Sequence, residues 1–137
     1  MRLRPIHHTF GPHVDSPFLR RTLALSYAPW AYRNGPEREL FRRDMHARFD
    51  YECSLFASGR EALLGLLRAL NLPTGSDVII QGFTCVVVPN AIKAAGLRPV
   101  YADIDERTLN LTPETVAAVA TPLTRVVICQ HTFGIPA

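Results

Sequence analysis

Short apolar segments alternate with helical patterns along this sequence, and that alternation restricts the folds open to the chain. Strands are predicted at residues 77–81 (DVIIQ), 98–104 (RPVYADI) and 124–130 (TRVVICQ). A strand with apolar side chains on both faces has to be covered on both faces, which is typical of parallel sheets joined by helical crossovers. The sequence therefore predicts an α/β fold, with a mostly parallel sheet and helices on both faces.

Helical patterns separate these strands. The sequence predicts a helix at 36–49, a leucine-striped helix at 60–70, and a helix that begins at Pro113 with Thr112 as its N-cap. These signals are local, so each predicts an element without reference to the rest of the fold.

Three further segments are harder to assign. Residues 84–96 join a valine-rich first half to a helical second half, and any helix there is predicted to be kinked or to begin at Pro89. Residues 53–58 (CSLFAS) are predicted to form a short strand. Residues 1–35 show no sustained period, so we predict an irregular N-terminal arm followed by the α/β domain at 36–137.

The basic composition does not by itself indicate a nucleic-acid partner. The formal net charge is +3, and nine arginines occur in the first fifty residues against five acidic residues. Opposite charges nevertheless alternate along residues 36–49, where Glu39 can pair with Arg43 and Asp44 with Arg48 at i,i+4 spacing. That pattern is typical of a solvated helix face, so we expect no nucleic-acid partner.

Composition also argues against membrane, secretory and metal-binding roles. No apolar run approaches the ~18 residues of a membrane-spanning helix, and no apolar core follows the basic N-terminus. Cys53, Cys85 and Cys129 are odd in number and lack the spacing of a metal site. We therefore expect a cytoplasmic protein with reduced thiols and no bound metal.

The stretch FASGREALLGLL (56–67) places Ser-Gly where an apolar segment runs into a helix. The unpaired N–H groups of a helix N-terminus, at the positive end of its dipole, can bind a phosphate. Ser58 can add a hydroxyl, Gly59 allows close approach, and the amides of Arg60 and Glu61 can donate. Alternatively, Ser58 is only an N-cap and Gly59 only a turn residue. The larger nucleotide-binding glycine patterns are absent, which leaves a single phosphate as the expected ligand.

The order of several short motifs resembles the DegT/DnrJ/EryC1/StrS family of sugar aminotransferases, which are fold-type-I enzymes dependent on pyridoxal 5′-phosphate (PLP). Between Gly35 and Ala137 the chain carries Ser-Gly before a helix, GSDVII, FT followed by PNAI, RPVYADID, TLNLTPE and HTFGIPA. The resemblance implies the N-terminal part of a fold-type-I large domain, with a truncated PLP-binding domain at 36–137. It also implies a homodimer that transfers an amino group from an amino acid such as glutamate to a nucleotide-linked keto-sugar, in amino-sugar and polysaccharide biosynthesis.

The same resemblance assigns site residues. Ser58, Gly59 and Arg60 are implied to hold the PLP phosphate. Cys85 follows FT, where the family commonly has an aromatic residue stacked on the pyridine ring, and Phe83 is the alternative ring contact. The family's Schiff-base lysine lies beyond residue 137, so this chain is expected to be an N-terminal fragment without a catalytic lysine and inactive alone.

Other polar residues have less specific assignments. Lys93, the one lysine in the sequence, matches no catalytic position and is predicted to be a solvated helix residue. His131 is predicted either to face the cofactor or to bond neighbouring backbone. Asp103 and Asp105 follow a strand and are predicted to form turns.

Two other functions stay open at the level of the sequence. One is a PLP-dependent sugar dehydratase of the same family, in which histidine replaces the Schiff-base lysine. The other is a non-catalytic α/β interaction module whose basic arm binds an acidic partner.

Overall fold

A computed structural model describes residues 14–28, 30–31 and 35–137. The chain divides into two units, one extending through Ser54 and one from Leu55 to Ala137. The described residues form five α-helices, a three-stranded sheet and a short 3-10 helix. Among these residues, no helix combines the length and apolar character needed to cross a membrane.

The first unit contains helix α1, which spans Ser16–Ser26. Its N-cap is Asp15, whose Oδ1 accepts a hydrogen bond from the Phe18 amide at 2.9 Å. The prediction of an irregular arm is therefore wrong for this segment. The N-cap aspartate followed by Pro17 in the first turn favours a helix start. The prediction depended instead on an apolar period, which this segment lacks, and no residue of α1 is buried.

Helix α2 of the same unit spans Glu37–Phe49, one residue later than the predicted start. Arg43 Nε lies 3.5 Å from Glu39 Oε1, and Arg48 Nε lies 3.2 Å from Asp44 Oδ2. The predicted i,i+4 ion pairs are therefore confirmed, on a helix without buried residues.

The strand predicted at 53–58 is not formed. The backbone of a strand needs a neighbouring strand as its hydrogen-bonding partner, and among the described residues the sheet pairs only the three strands that follow. The Cys53 carbonyl instead accepts a hydrogen bond from Arg42 Nε at 2.9 Å. The prediction was wrong because apolar composition permits a strand but does not supply its partner.

The second unit is built on a parallel sheet. Strands β1 (Asp77–Gln81), β2 (Arg98–Ala102) and β3 (Thr124–Ile128) lie in the order β2-β1-β3, and both pairs are parallel. Every residue of β1 is buried, as expected for a central strand. Strand β1 has the predicted bounds, whereas β2 and β3 each end two residues early.

Three helices complete this unit: α3 (Gly59–Ala69), α4 (Val87–Ala94) and α5 (Pro113–Val119). The predicted N-cap of α5 is confirmed, because Thr112 Oγ1 accepts a hydrogen bond from the Thr115 amide at 3.3 Å. The ambiguous segment 84–96 contributes α4, in which Pro89 is the third residue. The prediction of a start at Pro89 is therefore wrong by two residues, because a proline in the first turn removes no hydrogen bond within the helix.

The core of the second unit lies on both faces of the sheet. Side chains of β1 alternate between the faces, as in any strand. One cluster contains Leu67, Val78, Ile80, Ile92 and Leu97, and the other contains Ile79, Ala102 and Leu111. A parallel sheet with a core on each face confirms the predicted α/β class.

An ion pair joins the beginnings of β1 and β2. The side chain of Asp77 is fully buried, and its two oxygens accept hydrogen bonds from Arg98 Nε at 2.6 Å and Nη2 at 2.7 Å. Thr121 Oγ1, shortly before β3, donates to Asp77 Oδ2 at 2.8 Å. The hydrogen bond from Arg98 is the main cause that holds the pKa of Asp77 below its ordinary value. These contacts link the amino ends of β1 and β2 to the segment just before β3.

Candidate functional site

The start of helix α3 offers backbone donors. Ser58 is the N-cap, and its Oγ accepts a hydrogen bond from the Glu61 amide at 3.2 Å. Among the described residues, nothing accepts from the amides of Gly59 and Arg60. The N-cap role predicted as the alternative for Ser58 is therefore confirmed, and the Glu61 amide, one of the two donors expected for a phosphate, is already bonded to it. The Ser58 hydroxyl hydrogen and two amides stay available to a ligand.

Open space lies in front of these donors. A Cβ added to Gly59 would meet no atom within 4 Å. The same residues border a cavity of about 600 Å³, the helix-start cavity, lined by Ser58, Gly59, Arg60, Glu61, Leu63, Val87 and Val88. The exposed Arg60 side chain pairs with no carboxylate of the described residues. Space, positive charge and unpaired donors at a helix N-terminus suit an anionic group such as a phosphate.

A second cavity of about 420 Å³ lies at the carboxyl ends of β1 and β3. We call it the loop cavity; its lining consists of Gln81, Phe83, Thr84, Cys85, Gln130, His131, Thr132 and Phe133. Cys85 and Phe83 thus line one cavity together, while Ser58, Gly59 and Arg60 line the other. The chain after β1 contributes to both, because Cys85 lines the loop cavity and Val87 and Val88, two and three residues later, line the helix-start cavity.

His131 bonds neighbouring backbone, which is one of its two predicted roles, while a role facing the cofactor stays a prediction. Its Nδ1 accepts a hydrogen bond from the Ala137 amide at 3.0 Å, and the residue also lines the loop cavity. Nearby, Thr84 Oγ1 donates to Gln130 Oε1 at 2.6 Å, which joins the segment after β1 to the segment after β3. With Nδ1 as the acceptor, the neutral imidazole carries its proton on Nε2.

The remaining predicted polar residues take structural positions. Asp105 Oδ1 accepts from the amides of Arg107 and Thr108, so Asp105 forms a turn as predicted. Asp103 Oδ1 accepts only from the adjacent amide of Ile104, which does not form a turn. The hydrogen bond from the Thr108 amide is the main cause that lowers the pKa of Asp105. Lys93 is exposed in the last turn of α4, also as predicted, and lines neither cavity.

Sequence reasoning missed two buried amides beside the loop cavity. Gln81 is 1% exposed, and its Nε2 donates to the carbonyls of Phe83 and Leu109 and to Thr132 Oγ1. Asn110 is fully buried, and its Oδ1 accepts from the Thr132 amide at 2.9 Å. A polar residue directly after three consecutive apolar residues of a buried strand was the available signal for Gln81.

Comparisons with known proteins agree on one family. The sequence matches the profile of the DegT/DnrJ/EryC1/StrS aminotransferase family over residues 16–137. It is 38% identical over 105 residues to the dTDP-4-dehydro-2,3,6-trideoxy-D-glucose 4-aminotransferase of Saccharopolyspora spinosa, covering 74% of this chain and 27% of that relative.

Solved structures show the same similarity in three dimensions. An aminotransferase from Psychrobacter cryohalolentis matches with a TM-score of 0.79 and 28% identity, over 91% of this chain and 32% of its own. The NtdA protein of Bacillus subtilis, solved with the bound cofactor PMP, matches with a TM-score of 0.77 and 25% identity, over 88% of this chain and 29% of its own. The chain thus spans about a third or less of the length of these proteins.

Proposed function

The chain belongs to the DegT/DnrJ/EryC1/StrS aminotransferase family, and from that premise we propose that the protein containing it is a PLP-dependent aminotransferase acting on a nucleotide-linked keto-sugar. The name of the Saccharopolyspora relative, a dTDP-sugar aminotransferase, supports this substrate class. The amino donor is an amino acid such as glutamate. The active form is a homodimer in the cytoplasm, and residues 36–137 form part of its PLP-binding domain.

The open start of α3 is the observation that carries the cofactor assignment. Ser58, Gly59 and Arg60 hold the PLP phosphate through two unpaired amides, the serine hydroxyl and the arginine charge. Because Gly59 has no side chain, the phosphate can approach the backbone closely. When bound, PLP supplies an electron-accepting ring that carries the amino group between the two substrates.

The loop cavity is the proposed place for ring contacts and substrate. Cys85 presents a polarisable sulfur there, and Phe83 presents a half-exposed ring in the same cavity. His131 offers a ring N–H at Nε2 for hydrogen bonding. Lys93 has no role in this proposal, so the lysine that moves protons is expected outside residues 1–137.

Borohydride reduction of the protein produced from its intact gene tests this function. We expect a visible absorbance that depends on added PLP and, after reduction and proteolysis, a phosphopyridoxyl group on one lysine other than Lys93, located by mass spectrometry. Incubation with glutamate and a nucleotide-linked keto-sugar should yield an amino-sugar.

Three results would contradict the proposal. A protein that takes up no PLP supports the interaction module, and reduction that labels Lys93 contradicts the assigned site. A sugar product that has lost oxygen and gained no nitrogen identifies the dehydratase, which the mass of the product distinguishes from an aminotransferase.

A further inference from the structure

We propose that Gln81 is a positioning residue that sets the shape of the loop cavity by holding two loops together. The β1 loop comprises residues 82–86, and the β3 loop comprises residues 129–135. The effect of Gln81 on catalysis rests on the proposed function, whereas the contacts of Gln81 do not depend on that function.

The side-chain amide of Gln81 reaches three separate segments. Its Nε2 donates to the Phe83 carbonyl in the β1 loop at 2.8 Å and to Thr132 Oγ1 in the β3 loop at 2.7 Å. A third, longer contact of 3.3 Å reaches the carbonyl of Leu109, to which Thr132 Oγ1 also donates. One buried nitrogen is therefore the meeting point of the two loops and the turn before α5.

The contacts of the nitrogen decide which way the Gln81 amide faces. Gln81 Oε1 is buried and has no hydrogen-bond partner among the described residues. Buried polar atoms without a partner are unfavourable and uncommon. Turning the amide over would place its oxygen against two carbonyls, so the nitrogen side keeps its contacts even though Oε1 lacks a donor.

The two loops carry the residues proposed to meet cofactor and substrate. Phe83 and Cys85 lie in the β1 loop, and His131 lies in the β3 loop, directly before Thr132.

Asn110 holds the β3 loop from the other side, accepting from the Thr132 amide and donating to the Ile135 carbonyl at 2.8 Å. Gln81 is the residue that connects this braced loop to the β1 loop through a buried amide, and Thr84 with Gln130 adds a second link at the cavity wall.

Gln81→Met tests the role, since methionine has a similar length but no donor. In the protein from its intact gene, we expect amide hydrogen exchange in peptides covering both loops to rise about tenfold, the effect of losing one to two net hydrogen bonds. Exchange in α5 should not change. The variant should still bind one PLP per chain, because the phosphate site is separate, but with an altered visible circular dichroism of the cofactor and a kcat at least about tenfold lower.

Ile79→Val is the matched control, because it weakens the same buried strand without touching either loop. If Gln81→Met raises exchange no more than this control does, or raises it in all segments alike, the inference is overturned. Unchanged cofactor dichroism and kcat in the presence of loosened loops would also overturn it, leaving a purely structural residue. A wild-type protein that takes up no PLP defeats the proposed function, while the exchange measurement still decides whether Gln81 joins the loops.

Gln81→Glu provides a second variant in case Gln81→Met does not fold. A buried, ionised carboxylate would face two carbonyls and the threonine hydroxyl, whereas its protonated form regains one donor. Loop exchange, corrected for its intrinsic dependence on pH, should therefore slow as the pH is lowered in this variant. The same pH response in the wild-type protein would contradict the explanation.

Discussion

Gly59→Leu is expected to weaken PLP retention strongly while the protein stays folded. The space in front of Gly59 is empty to 4 Å, and its backbone is outside the left-handed region, so the fold accepts a larger side chain there. That side chain would occupy the space in front of the Gly59 and Arg60 amides. Losing two hydrogen bonds to a charged phosphate should weaken binding at least about a hundredfold, measured by equilibrium dialysis against PLP.

Two control variants make this result specific. Ala69→Leu adds the same side chain at the exposed last residue of α3 and should leave PLP affinity unchanged. Gly59→Ala adds only the Cβ and should have a smaller effect than leucine. Wild-type affinity in Gly59→Leu, with an unchanged melting temperature, would contradict the phosphate site and with it the main structural support for the proposed function.

Asp77→Asn is expected to cause a large loss of stability, with a melting temperature lower by about 5 °C or more in thermal circular dichroism. The fully buried carboxylate accepts from both Arg98 and Thr121, and asparagine replaces one of its oxygens with a donor. The side chain of Arg98 is 57% exposed and can return to water, so the cost falls on the buried partner. As a control, Asp44→Asn makes the same change in the exposed ion pair with Arg48 and should change the melting temperature little.

The difference in stability between the wild-type protein and Asp77→Asn should depend on pH. The pKa of Asp77 in the folded protein lies below its ordinary value of 3.8, with the Arg98 hydrogen bond as the main cause. Such a carboxylate contributes stability that is complete above the unfolded-state pKa and is lost as the pH falls through the folded-state pKa. The difference should therefore be full at neutral pH and narrow below about pH 4. A stability difference that stays constant down to pH 3 would show that the charge of the Asp77 carboxylate is unimportant.

The site was predictable from the sequence to different degrees. The start of α3 was found because Ser58 and Gly59 are neighbours and a helix N-terminus exposes donors whatever lies around it. That Glu61 is already bonded to Ser58 could be decided only by the geometry of the cap. The separation of Cys85 from Ser58 into another cavity likewise depends on how α4 leaves the end of β1.

The sequence by itself determined the elements whose causes lie within a few neighbouring residues: the caps of α3 and α5, the bounds of β1 and the ion pairs along α2. Only the tertiary structure decided whether the apolar segment 53–58 has a strand partner, and what the buried amide of Gln81 contacts. Its partners at Leu109 and Thr132 are 28 and 51 positions away. Hydrogen bonds between residues so far apart in the sequence depend on the order of the strands and the path of the loops, which no local sequence pattern specifies.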